Sequence, residues 1–223
     1  MTEAEWRSDD DPDRMSLAIV RGSPRKLRLF AVACARHLPA DVLDPHCTHC
    51  LDLAEASADG RATAGDRQRA AAPVIELANR TEESARSADE RDNRADPTFR
   101  AHHAAVACAA TAAADRFMIR QTASLVRKAA GDADAERQYQ CAVLRDVYDN
   151  PARPSAFDPA WRTADATGLA RAVYDDRAYD RLPLLADALT DAGCDNEDIL
   201  AHCRSAGPHV RGCWVVDLVL GLE

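Results

Sequence analysis

Aromatic side chains, lysines and long apolar runs are all scarce in this sequence, and each shortage excludes something. Aromatics are 5% of the 223 residues, while the apolar fraction is 47% and much of it is alanine. A core made of such thin side chains lets helices approach closely, and alanine is the best helix former. The composition therefore predicts an all-α fold. No apolar run approaches the ~20 residues that a membrane helix needs, so no membrane partner is expected. The segment from Met1 to Asp13 is acidic and lacks the apolar centre of a secretory signal. Eight cysteines in a chain of this length do not form a disulfide scaffold. Reduced thiols and a cytoplasmic location are the expectation.

Only Lys26 and Lys128 are lysines; the other basic residues are arginines, and none are clustered. Arginine suits bidentate anion recognition, although codon bias produces the same skew. With 28 basic against 37 acidic residues the net charge is −9. That balance makes nucleic acid an unexpected partner and leaves protein as the expected one. The short motifs of phosphate-binding loops, dinucleotide folds, zinc proteases, serine hydrolases and kinases are all absent. No repeat of 20–50 residues is visible.

What is present is dense helix punctuation. Thr2 and Glu5 form a capping-box pattern, Asp11-Pro12 opens a second segment that Gly22 closes, and Ser23-Pro24 opens a third. In that third helix Leu27, Phe30, Ala31, Cys34 and Leu38 fall at steps of three and four. Asp44-Pro45 starts a helix running to Gly60, with Cys47, Cys50, Leu51, Ala54 and Ala58 on one stripe. Thr63 and Asp66 cap the next, which Pro73 is expected to interrupt. Residues 80–97 carry no large apolar side chain and read as a solvated helix grading into a linker.

Asp96-Pro97 begins what reads as one long alanine-rich helix to about Ala130, with Phe99, His103, Val106, Ala110, Ala113 and Phe117 buried. A helix over 133–148 follows. Residues 150–161, with three prolines and two aromatics, form an irregular ordered loop. Further helices are predicted over 164–178, over 181–192, and from Asp195, with Asp198 completing a capping pattern, to about Arg204. The valine-rich terminal run has no strand partner and reads as a short buried helix. The whole predicts a single compact domain, 1–223, of about eight to ten helices.

The stretch RLPLLADALTDAGCDNEDILAHCR, followed by GPHVRGCWVVDLVLG, resembles an uncharacterised bacterial protein family abundant in planctomycetes. RKLRLFAVACAR and the loop NPARP leading to DPAW fit the same pattern. The resemblance spans most of the chain apart from the alanine-rich and charged middle. It implies an all-α chain and brings no activity, cofactor or catalytic residue. PHCTHC departs from the family pattern.

Two constellations carry potential chemistry. His46, Cys47, His49 and Cys50 offer a zinc half-site, because zinc takes four nitrogen or sulfur ligands. A second half-site can come from His202, Cys203, His209 and Cys213, with Cys47, Cys50, Cys203 and Cys213 the leading ligands. The competing reading packs Cys47 and Cys50 as small hydrophobes beside Leu51. In the tail, His202, Arg204, His209, Arg211, Trp214 and Asp217 can line a pocket for an anion or a carboxylate-bearing partner. There His209 would act as acid or base, oriented by Asp217. The bland alternative is a buried network that docks the last helix.

Lesser features read as structural. His102 and His103 cannot share a helix face. Asp9 to Asp13 lacks the pattern of a calcium loop and suits an acidic helix start. Cys34 and Cys194 are nucleophiles only beside a base. Cys194 is favoured because it precedes a helix N-terminus, which lowers a thiol pKa. The functional expectation is a noncatalytic interaction module. Structural zinc binding, or a ligand or enzyme site in the tail, are the alternatives.

Overall fold

The structure, a computed structural model, describes residues 1–19, 23–112 and 116–222, without the side chains of 116–120. It is all-α: 72% helical, with twelve α-helices and no strand among the described residues. No described helix is long and apolar enough to cross a membrane. The packing divides the chain into two compact units, Met1–Val20 with Cys141–Glu223, and Arg21–Gln140. The sequence predicts one domain because nothing local shows that the N-terminal helices join the C-terminal part of the chain.

The middle unit contains α3 (Pro24–Arg36), α4 (Pro45–Ala58), α5 (Ala64–Glu90), α6 (Pro97–Ala112) and α7 (Arg116–Ala129). Its helix starts follow the caps: the Ser23 hydroxyl accepts from Lys26 N, Asp44 accepts from His46 N, and Thr63 with Asp66 forms a full capping box. Helix α3 buries Leu29, Val32, Ala33 and Ala35 as well as the expected stripe, so it is covered nearly all round. Pro73 does not end α5, which runs straight through it. The missing N–H costs one backbone bond, while Ala70, Ala71, Val74 and Ala78 keep one face buried on both sides of the proline.

Residues 80–90 are the last turns of α5, and a short turn through Asp92 leads to α6. Small residues suffice there because Ala85 and Ala88 pack on Phe99. The predicted long helix over 97–130 is instead two antiparallel helices: Arg100 Nε, near the start of α6, donates to the Ala129 carbonyl at the end of α7 at 2.9 Å. Helix α6 ends at Ala112 and α7 begins at Arg116; Ala113, like the side chain of Phe117, lies outside the described residues. Alanine propensity continues across this point, and no glycine or proline marks it.

The other unit joins α1 (Glu3–Ser8) and α2 (Pro12–Ala18) to the C-terminal part of α8 (Ala133–Val147). It continues through α9 (Ala164–Asp176), α10 (Leu182–Asp191), α11 (Glu197–Arg204) and α12 (Trp214–Leu220). Gly22, expected to close the second helix, lies outside the described residues. Leu182, Leu185, Leu189, Ile199, Val215 and Val219 form the centre of its core. The loop over 150–161 is pinned where the Asp149 carboxylate accepts from the backbone N–H groups of Asn150 and Ser155. Phe157 and Trp161 meet edge to face beneath Arg162. The valine-rich terminus is helical, as α12.

Candidate functional site

Asp146 sits in the last turn of α8 with its side chain only 2% exposed. His202 comes from the last turn of α11, whose Asn196 cap accepts from Asp198 N and Ile199 N. Burial of Ile199 and Cys203 turns His202 onto the neighbouring face. His209 follows the Gly207-Pro208 turn, and Cys213 caps α12. Gly212, at φ 96°, supplies the left-handed residue that delivers the chain to Cys213.

Asp146 is saturated. Its Oδ1 accepts from His202 Nε2 at 3.1 Å and from His209 Nδ1 at 2.6 Å, and its Oδ2 accepts from the Val210 N–H at 2.8 Å. The Trp214 indole N–H lies 3.1 Å from His202 Nδ1. An indole only donates, so Nδ1 accepts and the His202 proton sits on Nε2. His209 Nε2 lies 3.2 Å from the Ser205 carbonyl. A carboxylate and a carbonyl both accept, so both nitrogens of His209 carry protons. Burial opposes that charge, but the bond to Asp146 and its charge outweigh burial and hold the His209 pKa above the ordinary value. Burial likewise works against the Asp146 charge, and the two histidines overcome it, holding the carboxyl below the usual range. Burial pushes the Cys213 thiol well up. Ligand-type atoms of Asp146, His202, His209 and Cys213 all lie within 4.8 Å of one another.

The tail predicted as one corner thus divides. His202, His209, Cys213 and Trp214 converge. Arg204 pairs with Asp187 at 3.0 Å on the surface, and Arg211 stacks over the Tyr174 ring at 4.1 Å. The carboxylate that orients His209 belongs to Asp146, not Asp217, which is buried on α12. Nothing in RDVYDN distinguishes Asp146 from a solvated helix charge; only the fold brings it to residues more than fifty positions away.

The HCTHC segment separates its own ligands. His46 and His49 are exposed, whereas Cys47 and Cys50 are buried. The Cys50 thiol donates to the Cys108 carbonyl at 3.3 Å, and Cys47 lies against the Cys108 thiol. Burial raises the Cys50 pKa to about 11. Cys203 lies in the apolar core of the other unit, pushed up to about 12. Cys194 is also buried, and burial raises its pKa despite a backbone bond from Asn196, against the lowering expected from the helix end. His102 and His103 take the carbonyls of Ala78 and Phe99. Asp9 binds Arg14, and Asp11 caps α2.

A groove of about 210 Å³ adjoins the cluster, lined by Trp6, Arg7, Arg145, Asn150, Arg153, Asp198, His202 and Trp214 among others. Arg7 reaches Glu3 at 2.9 Å and Asp198 at 3.3 Å, and Arg153 binds the same two carboxylates. Arg145 donates to the Trp6 and Asp9 carbonyls. Asn150 Oδ1 accepts from Ala152 N at 3.0 Å, which fixes its amide, while its buried Nδ2 has no hydrogen-bond partner. Comparison with known proteins finds no family model, no curated protein and no solved structure that matches the chain.

Proposed function

We propose that the chain is a noncatalytic helical interaction module whose protein partner seats in the groove beside Trp6 and Trp214, presenting a carbonyl or carboxylate to Asn150. The observation that carries this reading is an open groove whose wall includes Asn150, a residue with an enclosed Nδ2 that has no hydrogen-bond partner. A buried N–H without an acceptor costs about 1–3 kcal/mol, which a partner oxygen recovers once the enclosed amide turns toward the groove. Arg7 and Arg153 share the carboxylates of Glu3 and Asp198 along the groove, which gives its rim paired charges of both signs for a polar partner segment. Trp6 and Trp214, buried in the chain's own core, give the groove a firm apolar wall rather than protruding anchors.

The histidine cluster supports the noncatalytic half of the reading. Ser205 Oγ lies 3.3 Å from His209 Nε2, in the order of a serine–histidine–aspartate triad. Its hydroxyl nevertheless donates to the His202 carbonyl at 2.8 Å, and His209 already carries protons on both nitrogens. A general base needs a free lone pair, and neither imidazole offers one. The cytoplasm is the proposed setting for eight buried free thiols.

The test is affinity purification with cross-linking from the native host, comparing the parent chain with Asn150→Ala and Arg153→Glu. A partner cross-linked at the groove and recovered about tenfold less with either variant is the expected result. Equal recovery with all three chains, or cross-links confined to other surfaces, contradicts the proposal.

A further inference from the structure

We propose that Asp146, His202, His209 and Cys213 form a structural binding site for one zinc ion. This goes beyond the interaction reading and does not depend on it. The four donors are chemically those that zinc takes: one carboxylate, two imidazoles and one thiolate. A tetrahedral zinc at about 2.0–2.3 Å from its ligands sets them about 3.3–3.8 Å apart. Here His202 Nε2 lies 3.1 Å from Asp146 Oδ1 and 3.3 Å from Cys213 Sγ. The 2.6 Å approach of His209 Nδ1 to Asp146 must widen most as a cation enters, the 3.1 Å one slightly, and any pair near the 4.8 Å limit must close.

Charge and burial point the same way. Asp146 and Cys213 are 2% and 1% exposed. A carboxylate and a thiolate neutralise a divalent ion, so the filled site carries no net charge into the interior. The outer contacts suit three of the ligands. His209 Nε2–H faces the Ser205 carbonyl, which orients Nδ1 toward the ion, and Val210 N–H holds the far oxygen of Asp146. Cys213 is fixed as the first residue before α12. With four protein ligands the site has no open position, which is the structural form of zinc site rather than the catalytic one.

Trp214 gives the proposal its distinctive signature. Its indole N–H donates to His202 Nδ1, which holds the proton on Nε2. Zinc on Nε2 moves that proton to Nδ1, where it meets another donor, so the tryptophan contact must break. Zinc uptake is therefore coupled to movement of one tryptophan that also lines the groove.

The experiment titrates reduced, metal-free full-length chain with zinc, read by native mass spectrometry and tryptophan fluorescence, and repeats the titration with cobalt. Expected are one zinc per chain, a fluorescence change that saturates at one equivalent, and a tetrahedral cobalt spectrum with charge transfer from a single thiolate. The cobalt spectrum needs no variant and so does not depend on a variant's folding. Cys213→Ala and His209→Ala should weaken zinc by more than about 100-fold, beyond the loss of an outer-shell group, while Cys203→Ala retains it. Trp214→Phe, which removes the opposing donor, should bind zinc about fivefold more tightly. No bound metal, an octahedral or sulfur-free cobalt spectrum, or zinc lost instead with Cys47→Ser or Cys50→Ser, overturns the proposal.

Discussion

Replacing Asp146 with asparagine changes one oxygen to nitrogen and nothing in volume, yet it should be among the costliest substitutions in the chain. The carboxylate receives two imidazole N–H groups and one backbone N–H. Asparagine keeps one acceptor oxygen, and its amide hydrogens must then face at least one of those donors. Hydrogen bonds to charged groups contribute about 1.5–3 kcal/mol each, and removing one partner of a buried ion pair costs about 3–5 kcal/mol. The two routes agree on roughly 3–5 kcal/mol. Urea unfolding followed by circular dichroism, in reduced protein, measures it; at about 1–3 kcal/mol per molar the midpoint falls by at least ~1 M. His209→Gln should cost nearly as much, and the double variant less than the sum, because both changes break one interaction. A loss below about 1 kcal/mol for Asp146→Asn would refute the view that this carboxylate holds the C-terminal segment together.

Three other outcomes are expected. Burial raises the Glu136 carboxyl above its ordinary value although His37 and Gln140 bond it. The unfolded chain therefore gives up that proton first, and the group's contribution to stability is lost as pH rises from 4.5 through the raised folded value. Glu136→Gln should be more stable than the parent at neutral pH, with the gap closing below pH 4.5; a variant less stable at every pH would contradict this. Pro73→Ala restores a backbone N–H inside α5 and should raise stability by about 1–3 kcal/mol in the same urea assay; an unchanged or lower midpoint would contradict this. Arg211→Ala should cost about 0.5–2 kcal/mol through its stacking on Tyr174, whereas Arg204→Ala at the exposed Asp187 pair should cost less than about 0.5 kcal/mol; equal losses would show that stacking adds nothing.

Helix starts were the most legible part of this chain, because a cap is a local contract between a side chain and an N–H two or three residues on. Thr2, Ser23, Asp44 and Thr63 all cap as their spacing predicts; the start of α11 is one residue later than expected, with Asn196 as the cap. The division into α6 and α7 was not legible, since helix propensity is uninterrupted along the sequence and only the packing of the two helices on each other tells two from one. In the site, dense polarity around the last helix drew attention to His202, His209, Cys213 and Trp214. Asp146 escaped notice because a lone helical aspartate looks the same in sequence whether it faces water or two imidazoles. The HCTHC spacing misdirected attention for the opposite reason: adjacent histidine and cysteine in a helix point to different faces, and here one face is solvent.

The most direct test of the noncatalytic reading is the protonation of the two site histidines, read by long-range proton–nitrogen correlation in zinc-free protein at neutral pH. The expected spectrum shows His202 protonated on Nε2 alone, with an acceptor Nδ1 facing the Trp214 indole, and His209 protonated on both nitrogens. A His209 with an unprotonated Nε2 beside Ser205 would contradict it, and would give the C-terminal unit the general base that a catalyst requires.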